Sequence, residues 1–163
     1  MKTFSRKGHA TWKGVLGSGN GWMTTESGLL NKAAFMVGRR KKTSAGCNPY
    51  ELLATAHAGC FSMALGEELG QAGFKVCDIG TTATVTLERL ESGWTLTQMQ
   101  LDVTARVPRA AQCQFIDAAM RAKTRCTISR MMNANISMTA KLLRDPNGGG
   151  QPRGPRLRVP RMS

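Results

Sequence analysis

Few side chains in this sequence are suited to nucleophilic or redox chemistry: five cysteines (Cys47, Cys60, Cys77, Cys113 and Cys126) and two histidines (His9 and His57). No two cysteines stand as C-x-x-C, and neither histidine belongs to a zinc- or iron-type pattern, so no metal site is expected. The N-terminus, Met-Lys-Thr-Phe-Ser-Arg-Lys-Gly-His, has no apolar signal core, which predicts a cytoplasmic protein. In that compartment five cysteines do not read as a structural disulfide framework. Thiol chemistry and inert core packing are the two readings left open. Cys60 lies in an apolar stretch with His57 three residues before it. Buried in an apolar helix, a thiol has a raised pKa and is unreactive, so a working Cys60 requires a nearby cation.

The element that must position Cys60 is also the clearest in the sequence. Asn48 suits a helix N-cap, Pro49 the first helical position and Glu51 the acidic partner of a capping box. Good helix formers follow up to Ala72, and Gly73 suits the C′ position. This predicts a helix of about 24 residues, or ~36 Å at 1.5 Å per residue. Its middle, Ala54-Thr55-Ala56-His57-Ala58-Gly59-Cys60, is small-sided, so other backbone is expected close against it.

Around this helix the pattern is mostly that of strands. Before it, short strands separated by glycine turns are expected at 10–13 and 22–25, with an apolar stretch from Gly28 to Val37. After it, 82–90 and 94–107 read as a hairpin about Glu91-Ser92-Gly93, with Met99, Leu101, Val103, Ala105 and Val107 alternating with polar residues. Pro108 ends that run. Residues 110–125 read as an amphipathic helix turning Cys113, Phe115, Ile116, Ala119 and Met120 to the core. Cys126 opens a short further helix, and Ile136, Met138, Ala140 and Leu142 alternate as a last strand. One domain over 1–142 is predicted, followed by a tail at 143–163. That tail holds four of the six prolines and Gly148-Gly149-Gly150, a composition that cannot offset its ordering entropy.

Composition narrows the function classes. The formal charge is +13, with +4 in the tail and a dense cluster at Arg39-Arg40-Lys41-Lys42. Yet no helix-turn-helix, finger spacing or RNP-type aromatic pattern accompanies it, and aromatics make up 6% of the chain, so no specific nucleic-acid partner is expected. The longest apolar stretch, 52–65, falls short of the ~20 residues of a membrane span.

Two segments now bear on identity. They are Asn48-Pro49-Tyr50-Glu51-Leu52-Leu53-Ala54-Thr55-Ala56-His57-Ala58-Gly59-Cys60-Phe61-Ser62-Met63-Ala64-Leu65 and Cys126-Thr127-Ile128-Ser129. Together they resemble the OsmC/Ohr family, the osmotically inducible and organic-hydroperoxide-resistance peroxidases. The resemblance runs from about His9 to Leu142 and includes Thr25-Glu26-Ser27-Gly28. His57, three residues before Cys60, makes the chain look more like the OsmC branch.

The resemblance implies an α+β fold in which a curved antiparallel sheet surrounds a long central helix, two copies forming an intertwined homodimer. It implies that Cys60 attacks a hydroperoxide and that Cys126 condenses with the resulting sulfenic acid to a disulfide. A dithiol, typically carried by a lipoylated protein, would reset the pair, and no bound cofactor is needed. The cation would be an arginine upstream of the Asn-Pro motif, by spacing Arg40, with Arg39 as second choice. The implied role is stress defence. A redox sensor or binding protein on the same fold is the alternative.

Three departures from the family pattern stand out. The glutamate that orients the arginine directly follows Asn-Pro in the family, and here that position is Tyr50. Glu51 is the candidate replacement, although one residue turns a helical side chain by ~100°. Position 50 also lies ten residues, or ~15 Å, along the helix from Cys60, so an arginine held there would reach a cysteine from another subunit. Thr127 stands in place of a proline that commonly follows the second cysteine, a change expected to loosen the turn presenting Cys126. Cys47, Cys77 and Cys113 have no counterpart in the motif: Cys113 is expected in the core and Cys77 as incidental, while Cys47, just before the N-cap, has an exposed reactive thiol as its minority reading.

Overall fold

A computed structural model describes residues 3–15, 18–35 and 48–143 of the chain. Arg39, Arg40, Cys47 and the tail beyond Leu143 lie outside the described residues. The chain divides into two compact units, one ending at Ala56 and the other beginning at His57.

The first unit holds a three-stranded antiparallel sheet of β1 (Gly8–Lys13), β2 (Asn20–Thr25) and β3 (Ala33–Phe35), in that order. Trp12 of β1 and Phe35 of β3 pack across β2 with ring centroids 5.5 Å apart. Gly21 makes that possible, because a Cβ there would lie 2.6 Å from the Phe35 ring. The unit also contains the start of α1 (Pro49–Gln71). Asn48 Oδ1 accepts a hydrogen bond from the Tyr50 amide at 2.9 Å, and Glu51 Oε2 accepts one from the Asn48 amide at 3.4 Å. This is the capping box expected from Asn48 and Glu51.

In the second unit α1 ends as its glycine dictates. Gly73 takes φ +82, the Gly73 amide donates to Gly70 O and the Phe74 amide to Leu69 O. These two bonds satisfy carbonyls that the last helical turn would otherwise leave open. β4 (Asp78–Leu90) and β5 (Gly93–Arg106) form the expected hairpin, closed by Glu91-Ser92 with Gly93 at φ +107. Thr86 faces Gln98 while Leu87 faces Leu96, so Thr97 is the extra residue of a bulge. α2 (Gln112–Arg125), α3 (Thr127–Met131) and β6 (Asn135–Leu142) complete the unit.

The α+β class is the one expected, but one strand runs differently. β6 lies beside β5 and parallel to it, so this sheet is mixed where an antiparallel one was predicted. The reason is connectivity: the chain leaves β5 through two helices, and such a crossover brings it back in the same direction.

The core of this unit is one cluster. Phe61, Leu65 and Leu69 of α1, at i, i+4 and i+8, meet the inward residues Leu101, Val103 and Ala105 of β5 and Val107 just beyond it. Phe115, Ala118, Ala119 and Ala122 of α2 close it, with Cys126 at its edge. Phe115 and Ala119 are the expected core residues of α2; the rest of its predicted core face is corrected. Ile116 and Met120 form a neighbouring exposed stripe, and Cys113 is exposed rather than core. Cys113 precedes Phe115 by two residues, which puts it ~200° round the helix from the buried side.

Candidate active site

α1 directs one stripe at α2 and α3: His57, Cys60, Ala64 and Glu68, spaced +3, +7 and +11 from the first. The spacing keeps all four on one helix face. Each polar member of the stripe finds a partner near Cys126. His57 Nε2 and Ser129 Oγ share a buried hydrogen bond of 2.8 Å. Cys60 Sγ and Thr127 Oγ1 lie 3.1 Å apart. Glu68 accepts from Arg121 Nε at 2.8 Å and from an Arg125 guanidinium nitrogen at 2.5 Å.

Cys126 sits at the junction of α2 and α3. Its amide donates to Ala122 O, closing α2, and its carbonyl accepts from the Arg130 amide, opening α3. With φ −56 and ψ 122 it breaks the helical path, so the chain turns and brings Cys126 and Thr127 against Cys60. Cys126 is 1% exposed, whereas Cys60 is half-buried. The half-buried thiol is the one a solvent-borne substrate can reach.

Burial opposes ionisation of Cys60 and is the largest single influence on it. It is outweighed by the hydrogen bonds that converge on the sulfur, from the Thr127 hydroxyl, the Ile128 amide, the Cys126 thiol and the Thr127 amide. Together they hold the thiol below its ordinary pKa. The sequence called for a cation to do this; among the described residues, hydrogen bonds do it.

His57 is fully buried, and that burial pushes its pKa down. The ring is therefore neutral near pH 7. Its Nδ1 has no hydrogen-bond partner among the described residues, leaving the Ser129 bond to fix its place. A positioning role fits it better than proton transfer.

Of the residues expected at the site, Cys60 and Cys126 are brought together. Glu51 is nine residues from Cys60 on the same helix, about 13 Å away along the axis, and is engaged in the cap. Arg40 lies outside the described residues. The contacts of Thr127 and Ser129 and the Glu68–Arg121–Arg125 group escaped the sequence reading. A signal existed for two of these: H-x-x-C and C-x-x-S are matching i, i+3 pairs, and Arg121 and Arg125 stand at i, i+4. Among the described residues, no group of three or more potential metal ligands is gathered in one place, and no helix is long and apolar enough to cross a membrane.

Comparison with known proteins follows the same lines. A family model described as OsmC-like protein matches residues 41–141. Peroxiredoxin OsmC of Escherichia coli (strain K12) is 38% identical over 140 residues, covering 86% of this chain and 98% of that protein. The organic hydroperoxide resistance protein of Elizabethkingia anophelis is similar in structure with a TM-score of 0.68 at 22% identity, covering 88% of this chain and 100% of that one. OhrB of Bacillus subtilis gives 0.63 at 21% identity, covering 85% of this chain and 98% of that one. The two structures share the fold; the family model and the identity across nearly all of the Escherichia coli protein go further. On those grounds the chain belongs to the OsmC/Ohr family of OsmC-like proteins.

Proposed function

We propose that this protein is a thiol peroxidase that reduces organic hydroperoxides, with Cys60 as the attacking thiol and Cys126 as its resolving partner. One observation carries the reading: a half-buried thiol with a lowered pKa lies beside a second, buried thiol. The thiolate attacks the distal peroxide oxygen, the O–O bond breaks, and with one proton the alcohol leaves. Cys60 is then a sulfenic acid. The Cys126 sulfur displaces its oxygen as water, and an S–S bond forms. A dithiol returns two electrons and two protons; a lipoylated protein is the proposed donor. The names of the relatives, peroxiredoxin and organic hydroperoxide resistance protein, support this substrate class.

The test is a titration of the reduced protein with cumene hydroperoxide, followed by peptide mapping. One equivalent should be consumed per chain and yield a Cys60–Cys126 disulfide, and dihydrolipoamide should then sustain turnover. A disulfide involving Cys77 or Cys113 instead would overturn the pairing. Oxidation that occurs once and recycles poorly would favour a redox sensor, the reading to which Tyr50 at the family's glutamate position lends weight.

The working form is proposed to be a homodimer, with Arg40 of one copy supplying charge to Cys60 of the other. One exposed side of α1 is largely small or apolar, with Ala56, Gly59, Met63 and Gly70, a composition that suits contact better than solvent. Yet Met63 is 77% exposed, and a Cβ added at Gly59 meets nothing within 4 Å. A second copy covering this face accounts for both. Met63→Glu should weaken association roughly hundredfold, because a charge would be buried without a partner. Light scattering on eluting protein would read this as a monomer, with peroxide turnover falling in parallel.

A further inference from the structure

We propose that Thr127 is a catalytic residue, whose hydroxyl donates a hydrogen bond to the Cys60 sulfur and favours its thiolate. The inference rests on the peroxidase reading of Cys60, which it deepens. Thr127 Oγ1 lies 3.1 Å from Cys60 Sγ, and the two residues are 67 positions apart in the chain. A thiolate has no proton to give, so in the reactive form the hydroxyl is the donor.

The contact is held from two sides. On α1, Cys60 stands one turn after His57; on α3, Thr127 stands two residues before Ser129. The buried 2.8 Å bond between His57 and Ser129 therefore fixes the two backbones whose side chains meet at the sulfur. Behind Thr127, the closing bond of α2 at Cys126 fixes the turn. Thr127 itself is exposed, so no apolar packing of its own calls for a threonine at this position. Its hydroxyl makes the link to Cys60, and its amide lies close enough to add to the lowering of that thiol's pKa. A proline here would supply neither. On this reading Thr127 ties the turn to the nucleophile instead of loosening it.

During attack the hydroxyl keeps its proton. As the sulfur hands its charge to the departing alkoxide, the hydrogen bond weakens, and no atom of Thr127 enters the product. The benefit lies in the fraction of Cys60 ionised near neutral pH. A hydrogen bond to a charged group is worth about a tenfold change in such an equilibrium.

The test measures Cys60 ionisation without relying on peroxide chemistry. Iodoacetamide alkylation of Cys60 is followed by mass spectrometry across pH 5–10 in the natural protein, Thr127→Val and Thr127→Ser. Valine keeps the shape and removes the hydroxyl; serine restores it. The expected result is an alkylation profile displaced upward by roughly one pH unit in the valine variant and returned by serine. Peroxide kcat/KM near pH 7 should fall about tenfold in the valine variant alone. An unmoved valine profile overturns the proposal, as does a serine profile displaced as far as that of valine. If the profile moves but the natural protein consumes no peroxide, the hydrogen bond stands and the peroxidase reading fails.

Discussion

Cys60→Ser should reduce hydroperoxide consumption to background, a loss on the order of 10³-fold or more, because a serine hydroxyl cannot take up oxygen from a peroxide. Cys126→Ser should behave differently. Its Cys60 remains half-buried and keeps the Thr127 donor, and a serine hydroxyl at 126 can still donate, so the first oxidation survives. One equivalent of peroxide is then consumed, and the product is a sulfenic acid with no resolving thiol beside it. A 1,3-diketone reagent should trap it in stoichiometric yield, whereas the natural protein gives little adduct because the disulfide forms first. With excess peroxide, the Cys126→Ser protein should gain a second oxygen at Cys60 and lose the capacity for reduction by dithiols. Full activity in Cys60→Ser would overturn the assignment of the nucleophile. Stoichiometric activity there with Cys77 or Cys113 oxidised would mean that an exposed thiol is the true site.

The contrast between the two variants follows from placement rather than from thiol chemistry in general. Cys77 and Cys113 are exposed, whereas Cys60 is half-buried with the Thr127 hydroxyl 3.1 Å from its sulfur. Cys126 is almost fully buried. It is sheltered from solvent, yet it lies close enough to Cys60 to favour ionisation of that thiol. The division of labour is set by which thiol solvent reaches and by where the donors converge.

Much of this was legible in the sequence, and the limits are physical. Asn48, Glu51 and Gly73 act through neighbours within a few residues, so α1 and its caps could be read directly. The alternation of β5 and the turn at Glu91-Ser92-Gly93 are local in the same sense. The direction of β6 was not, because alternation marks a strand without saying which way its neighbour runs. The buried face of α2 could be read in part. Phe115 and Ala119 are core as expected; Cys113, Ile116 and Met120 are apolar enough for a core but exposed, and Ala118 and Ala122 are too small to announce their burial. The site divides along the same line. Cys60 and Cys126 could be named from their motifs, whereas the contacts of Thr127, Ser129 and Glu68 span 53 to 72 positions and leave no periodic trace.

Glu68 provides the second large effect, because its carboxylate is buried to 5% exposure while its partners Arg121 and Arg125 are half to mostly exposed. Hydrogen bonds from Arg125 and then Arg121 hold its carboxyl below the ordinary value. A depressed native pKa contributes stability that is full above the unfolded value, about 4.3, and is lost as pH falls through the native one. Arg121→Met combined with Arg125→Met should reverse that sign. The carboxyl is left buried without cations, its native pKa rises above 4.3, and the variant becomes less stable as pH climbs from 4 to 7. At pH 7 the melting temperature should drop by roughly 5–10 °C, and part of the loss should return on acidification. Adding Glu68→Met removes the stranded charge and should recover most of the stability at pH 7. Urea midpoints of the natural, double and triple variants between pH 4 and 7 decide the matter, and parallel pH profiles in all three would rule out a burial penalty at Glu68. The consequence reaches the site, since Arg125 directly precedes Cys126. A loosened end of α2 lets the resolving thiol drift from Cys60, so disulfide closure in the double variant should slow at temperatures where the fold is still intact.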